Sequence, residues 1–418
     1  MVAHVVILGG GFGGLHAARG LARAPVRVTL IDKTNHHLFQ PLLYQVAAAE
    51  LDPADIAAPI RWILRRQENA SVILAEARAI DLAAKRVLLG EGDLAFDYLV
   101  VATGARHSYF GNEAWERAAP GLKTVEDALE IRRRVLSAFE AAERETDPER
   151  QREWLTFAVV GAGPTGVEMA GALADLAHHT LTHDFRRIRP EQTRVVLLEG
   201  LPHVLAAYPD DLRKKAALQL ERLGVEVRCG VRVTGIDETG LSLGDDRLAA
   251  RTVIWAAGVE ASPLGRSLAA PLDRAGRVKV TPELALPGRS DVFVIGDMAA
   301  LENVPGVAPA AMQMGAHAAK NILRAIAGEA LLPFRYRDKG MLATIGRSAA
   351  VADFGFMRFS GWIAWVSWLV LHIYFLIGFR NRLIVLVNWA WAYFTFQRGG
   401  RLITGAPSRT GPDPTDTL

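Results

Sequence analysis

The chain has 418 residues, half of them apolar, with 48 basic against 45 acidic side chains and a formal net charge of +3. That length allows two or three domains with buried cores and excludes a small stapled module, while so slight a charge excess gives no general attraction for nucleic acid. The single cysteine, Cys229, excludes an intrachain disulfide and any dithiol redox centre.

From the N-terminus, His4-Val-Val-Ile-Leu reads as a strand with no basic stretch before it, so no signal peptide is expected and the body of the protein should stay in the cytoplasm. The strand runs into a turn carrying Gly9, Gly11 and Gly14, then a small-residue helix, then a second strand, Val26 to Asp32. This is the βαβ setting of a dinucleotide-binding loop. Gly9 permits the tight turn, Gly11 lets a pyrophosphate approach the backbone, and Gly14 lets helix and strand pack closely. The helix start offers free N–H groups to the phosphates, and Asp32 can accept from a ribose hydroxyl. An apolar run at Tyr98 to Thr103 reads as another strand, and the charged stretch Glu126 to Arg150 as a helical crossing.

The opening pattern then repeats. Phe157-Ala-Val-Val leads into Gly161, Gly163 and Gly166, and a strand from Thr193 ends in the acid Glu199, with about fifteen residues inserted around His178 to Pro190. An acid at that position would repel a 2′-phosphate and accept from a hydroxyl, which favours NADH over NADPH. Further apolar runs follow at Val253 to Ala257 and at Val292 to Ile295, the latter ending in Gly296-Asp297. A strand ending in Gly-Asp this late returns to the first unit, where Asp297 can bind the ribitol hydroxyls of a flavin, so FAD belongs to the first unit and NADH to the second. Pro309 to Asn321 reads as a helix whose N-terminus would stabilise negative charge on a reduced flavin. The histidine pairs His36-His37 and His178-His179 point apart on regular structure and lack accompanying carboxylates, so no metal is expected.

Near the C-terminus, Gly361 to Phe379 is nineteen residues without a formal charge, Arg380-Asn-Arg382 interrupts, and Leu383 to Phe396 adds fourteen more. The first run is borderline for a spanning helix and the second is short. Five of the nine tryptophans (Trp362, Trp365, Trp368, Trp389 and Trp391) fall here, and no acidic residue lies between Asp353 and Asp413. Two helices lying in the membrane interface, with the tryptophans and Arg380 and Arg382 at the headgroup level, suit this chemistry better than a hairpin through the bilayer. The expected partition is a discontinuous FAD-binding domain (1–118 and 276–330), an NADH-binding domain (119–275), a membrane-anchoring region (331–404) and a disordered tail (405–418). The fold class is α/β, two Rossmann-like domains with a helical C-terminal region.

The chain resembles the type II NADH dehydrogenases, single-subunit non-pumping NADH:quinone oxidoreductases. The resemblance runs over nearly the whole length, through the two glycine turns, Phe39-Gln-Pro-Leu-Leu-Tyr-Gln45, Ala102-Thr103-Gly104-Ala105, Gly161-Ala-Gly-Pro-Thr-Gly-Val-Glu168, Trp255-Ala-Ala-Gly258, Val292 to Asp297 and Ala311-Met-Gln-Met-Gly315. It implies that Thr103, Gly104 and Gly258 join the cofactor-binding set. It also implies that Glu168, read as lying two residues into the second helix, faces the flavin, orients the nicotinamide and helps relay protons. Of two glutamines that line the family's quinone pocket, Gln313 matches the second, while Pro309 stands in place of the first. The implied cycle passes hydride from NADH to FAD and two electrons on to ubiquinone or menaquinone, in a homodimer held at the cytoplasmic face of the plasma membrane. Rival readings are a ferredoxin-type reductase, which would have no use for an aromatic-arginine foot, and a redox-sensing protein that binds FAD and NADH without turnover. Disulfide reductases and sulfide:quinone oxidoreductases need paired cysteines.

Overall fold

The computed structural model describes residues 2–405, so the tail expected to be disordered lies, beyond Gly405, outside the described residues. In chain order, the elements that matter for function begin with β1 (Ala3–Leu8), α1 (Phe12–Gly20), β2 (Val26–Asp32), α2 (Leu43–Ala47), β3 (Ala70–Leu74), β4 (Tyr98–Val101) and α3 (Val125–Arg144). They continue with β5 (Thr156–Val160), α4 (Pro164–Asp175), β6 (Arg194–Glu199), β7 (Val225–Cys229), β8 (Thr252–Trp255), β9 (Val292–Val294) and α5 (Ala308–Ile326). The C-terminal set is β10 (Met341–Gly346), β11 (Ala349–Asp353), β12 (Arg358–Ser360), α6 (Trp362–Phe375) and α7 (Phe379–Thr395).

These form two compact units. The first comprises Met1–Phe39, Ala57–Gly111 and Gly258–Met341, and the second Gln40–Ile56, Asn112–Ala257 and Leu342–Leu418. The chain passes between them at 111/112 and 257/258. The segment Gln40–Ile56, inserted in the first unit's sequence, belongs to the second because Arg132 of α3 ties it down, donating to the carbonyls of Val46 (2.8 Å) and Leu51 (2.6 Å).

The first unit is built on a parallel sheet in the order β9-β4-β1-β2-β3. From Val5 to Leu8, β1 is fully buried, as a central parallel strand covered on both faces requires. The chain leaves β1 for β2 on one side while β4 pairs on the other, and this switch point opens a crevice at the strands' carboxyl ends. Helix α5 crosses α1 through glycines: a Cβ on Gly315 would lie 2.1 Å from the Gly13 carbonyl oxygen.

The second unit repeats the plan in the parallel sheet β7-β6-β5-β8. Its crossing helix α3 starts with a capping box, in which Thr124 and Asp127 satisfy each other's backbone N–H groups. A three-stranded sheet β10-β11-β12 lies under α6, with Ala350, Ala352 and Ala364 at the contact. The long apolar run divides at Leu376–Gly378 into α6, of 14 residues, and α7, of 17. At 1.5 Å per residue these measure about 21 and 26 Å, short of a hydrocarbon core about 30 Å thick. Among the described residues no helix is long and apolar enough to cross a membrane.

Candidate functional site

In the first unit, Gly9 has φ +100°, and a Cβ there would lie 2.3 Å from the Ala102 carbonyl oxygen. A Cβ on Gly14 would lie 1.9 Å from the Gly9 carbonyl oxygen, whereas one on Gly11 would meet nothing within 4 Å. The turn is closed against protein on one side and open where a pyrophosphate would come. Helix α1 begins at that opening without a side-chain cap, leaving its first N–H groups for an anion. Asp32, expected to accept from a ribose, accepts from the backbone of Gly10 (2.5 Å) and from the backbone and hydroxyl of Thr34 (2.7 and 2.8 Å). His37, unassigned by the sequence reading, donates Nδ1–H to the Gly10 carbonyl at 3.0 Å. Burial drives its pKa down to about 4 against the raising effect of that bond, so the ring is neutral. The peptides on both sides of Gly10 are thus held.

Several polar groups near the strand ends have no protein partner. The Thr103 hydroxyl is buried and, among the described residues, unbonded, and so is Nε2 of His37. Asp297 follows β9 in a short 3-10 turn. Gly104 adopts φ +70°, and Gly258, at φ +77°, accepts at its carbonyl from Ser108 N (3.3 Å). Open glycine cradle, uncapped helix, orphaned hydroxyl and available carboxylate together fit a dinucleotide with a polyhydroxylated chain, as FAD is.

The second cradle reproduces the first. Gly161 has φ +99°, a Cβ on Gly166 would lie 1.8 Å from the Gly161 carbonyl oxygen, and one on Gly163 would meet nothing within 4 Å. Glu199 accepts from Ala162 N (2.6 Å) and Leu201 N (2.9 Å). A carboxylate has about four lone-pair sites, so Glu199 keeps two for a ribose where Asp32 keeps one.

Helix α4, which starts at this cradle, is also pressed against the C-terminal sheet. Gly171 has no room for a methyl group, since a Cβ would lie 1.6 Å from the Ile345 carbonyl oxygen. This approach sets Glu168 against β10. Glu168 sits in the second turn of α4, which begins at Pro164, rather than two residues into the helix as the sequence suggested. Desolvation raises its carboxyl well above the usual range, and the bond from the Thr344 backbone only partly opposes this. The carboxyl is therefore poised to carry a proton.

Glu168 lines a cavity with Tyr44, Trp365, Trp368, Trp389 and Tyr393. The walls are flat rings: Trp368 stacks on His372 (4.1 Å between centroids) and packs against Trp389 (5.4 Å). Trp389 Nε1 donates to Gln45 Oε1 at 3.0 Å. The Arg347 guanidinium lies between the rings of Tyr393 (4.3 Å) and Phe396 (3.9 Å), and its buried Nη1 has no partner among the described residues. A flat, apolar molecule that accepts protons suits such a cavity.

Two of the five C-terminal tryptophans therefore do not serve a headgroup layer. Trp368 is 1% exposed and Trp389 8%, because one stripe of each helix faces the cavity. Trp362 and Trp391 are exposed, as are Phe379 and Phe394 at 82% and 80%. Arg382, expected among phosphates, donates instead to the carbonyls of Leu376 and Tyr374 (both 2.7 Å) and ties the α6–α7 turn; Arg380 is exposed. In the first unit, both amide atoms of Gln313 are engaged with the backbone of Arg337 at 3.0 Å. As a quinone ligand, Gln313 would have to give up that pair.

Residues 3–315 match the family model described as pyridine nucleotide-disulphide oxidoreductase, and residues 339–398 match the NDH2 C-terminal domain. The chain is 49% identical over 416 residues to a type II NADH:quinone oxidoreductase of Mycobacterium tuberculosis, covering 96% of this chain and 90% of the relative. It is 31% identical over 356 residues to one of Staphylococcus aureus, covering 82% and 87%. An NDH2 of Plasmodium falciparum, solved in complex with NADH, shares the fold with a TM-score of 0.88 at 19% identity, covering 97% of this chain and all of that one. The chain belongs to the type II NADH:quinone oxidoreductases, within the pyridine nucleotide-disulphide oxidoreductase family.

Proposed function

We propose that one observation carries the functional reading: α4 starts at a nucleotide cradle and, one turn on, places a proton-bearing carboxyl in an aromatic cavity. The chain is a single-subunit, FAD-dependent NADH:quinone oxidoreductase. FAD, when bound, supplies a two-electron carrier between NADH and quinone. The chain's own residues divide the remaining work. Gly9, Gly11 and Gly14 with the start of α1 hold the FAD pyrophosphate, Asp32 its ribose, and Asp297 its ribitol, with Thr103, Gly104 and Gly258 completing that site. Gly161, Gly163 and Gly166 hold NADH, and Glu199 binds its ribose hydroxyls and repels a 2′-phosphate. The aromatic cavity takes the quinone ring, and Glu168 gives it a proton. Gln313, which resemblance assigns to quinone binding, would meet a quinone by giving up its pair with the Arg337 backbone.

The protein is membrane-associated. The exposed apolar surface of α6 and α7 makes the attachment, at the cytoplasmic face, with the exposed Arg380 beside it. A homodimer completes this proposal, tested by sedimentation in detergent. The reading as a whole is tested by steady NADH oxidation with a short-chain quinone, compared with ferricyanide and ferredoxin. Rapid quinone reduction by a yellow protein is expected; a colourless protein that takes up no flavin overturns it.

A further inference from the structure

Reduction of a quinone by NADH consumes one proton from solution per turnover: NADH + H⁺ + quinone gives NAD⁺ + quinol. Glu168 can hand on a proton but must then be reloaded. The cavity it lines shares two residues, Glu50 and Arg398, with a second and larger cavity bounded by Asp52, Glu140, Asp184 and Arg401. Among the described residues no other lines both.

The charges around this shared wall are unequal. Arg398 is 5% exposed, forms an ion pair with Asp175, and donates to the carbonyls of Ala48 (2.9 Å) and Ala172 (3.3 Å). Glu50 has no ion pair among the described residues and faces Arg398, Asp175 and Tyr44, with Asp52 turned toward Arg132 at 3.6 Å. One guanidinium therefore stands beside two half-buried carboxyls. Asp175 is held at about 2: burial opposes this, but Arg398 and His179 prevail. Glu50 is raised, chiefly by burial and then by Asp175, against Arg398. Of the pair, Glu50 is the one shifted toward its protonated form. Tyr44 lines the aromatic cavity together with Glu50 and Glu168 and lies within the field of both.

We infer that Glu50 is a proton-relay residue, taking protons from water in the larger cavity and passing them by way of Tyr44 to Glu168, and thence to the reduced quinone oxygen. The O–H bond of the Glu50 carboxyl breaks as a new one forms on the acceptor, and Glu50 is reprotonated from the solvent side; no other co-reactant is needed. The inference rests on the aromatic cavity being the quinone site.

Glu50→Gln removes the exchangeable proton while keeping the shape. We expect the ratio of quinone-reducing to ferricyanide-reducing rates to fall about 100-fold, the scale of a lost proton-transfer group. Formate or azide should restore much of it, Glu50→Asp should retain part, and the ligand-free wild type should show a protonated-carboxyl infrared band that Glu50→Gln lacks. An unchanged ratio, or a loss that small acids do not rescue, overturns the relay. Leu369→Trp, which fills the aromatic cavity, separates the two readings. A raised KM for quinone in Leu369→Trp beside an unaffected Glu50→Gln sinks the relay alone; an unaffected Leu369→Trp sinks the cavity assignment and the relay with it.

Discussion

The two units share a sheet plan and a glycine turn but differ in what surrounds it. Around the first cradle lie groups suited to holding a ligand by fixed hydrogen bonds: uncapped helix N–H groups, the Thr103 hydroxyl and a neutral His37. The second unit adds to its cradle a cluster of wholly or partly buried ionisable side chains, with Glu168, Tyr44 and Glu50 all raised and Asp175 lowered. Retaining a cofactor calls for donors whose charge stays constant, whereas moving protons calls for groups shifted from their ordinary pKa. One architecture serves both purposes because the difference lies in side chains packed on a common frame.

The largest effects should come from the cradles. Gly14→Val should give a folded but colourless protein by circular dichroism and flavin absorbance, while Gly166→Val should stay yellow with a KM for NADH raised about 100-fold or more, a loss of about 2.7 kcal/mol. If both variants lose flavin, the division between the units fails.

Next comes Glu168→Gln, expected to slow quinone reduction about 100-fold relative to ferricyanide reduction. A raised carboxyl binds its proton more tightly in the folded state, so its stabilising share is complete below the unfolded pKa of about 4.3 and is lost as pH rises through the folded value. Glu168→Gln should therefore raise Tm above that folded pKa and leave it unchanged near pH 4. A Tm gain at both ends of the range would refute the assignment.

Phe379→Asp should weaken binding to anionic vesicles about tenfold, since one buried phenyl side chain contributes roughly 1.5 to 3 kcal/mol; unaltered co-sedimentation would remove α7 from the attachment. Smallest is Trp389→Phe, which takes away the bond to Gln45 and leaves a buried amide oxygen unpaired, at a cost of about 1 to 3 kcal/mol. Chemical denaturation should show that cost, with flavin content unchanged.

Both cradles were legible in the sequence because everything that defines them is local: the strand, the glycine spacing and the terminal acid fall within one βαβ unit. The aromatic cavity was not, because it draws on α2, α4, β10 and the two C-terminal helices, and no spacing in the chain records that they meet. Tyr44 and Gln45 stood in a motif that resemblance singled out but to which no role was given. A signal did exist for the tryptophans. Ala364 and Trp368, like Val385 and Trp389, are buried pairs four residues apart, the spacing of one helix face. It was masked because the outward faces are apolar as well, so no polar residues marked the inner stripe. Arg398 was not singled out, since sequence cannot show that an arginine after an apolar run turns inward to a carboxylate.

The absence of a side chain at Gly171 ties the acidity of Glu168 to the C-terminal sheet. With its backbone seated on the Ile345 carbonyl, α4 cannot shift without moving β10, and Glu168 keeps its dry surroundings only while that strand is in place. A chain cut before residue 342 would lose that strand and open Glu168 to water, removing the burial that raises its carboxyl. A proton held on one helix is in this way the outcome of a missing methyl group at position 171.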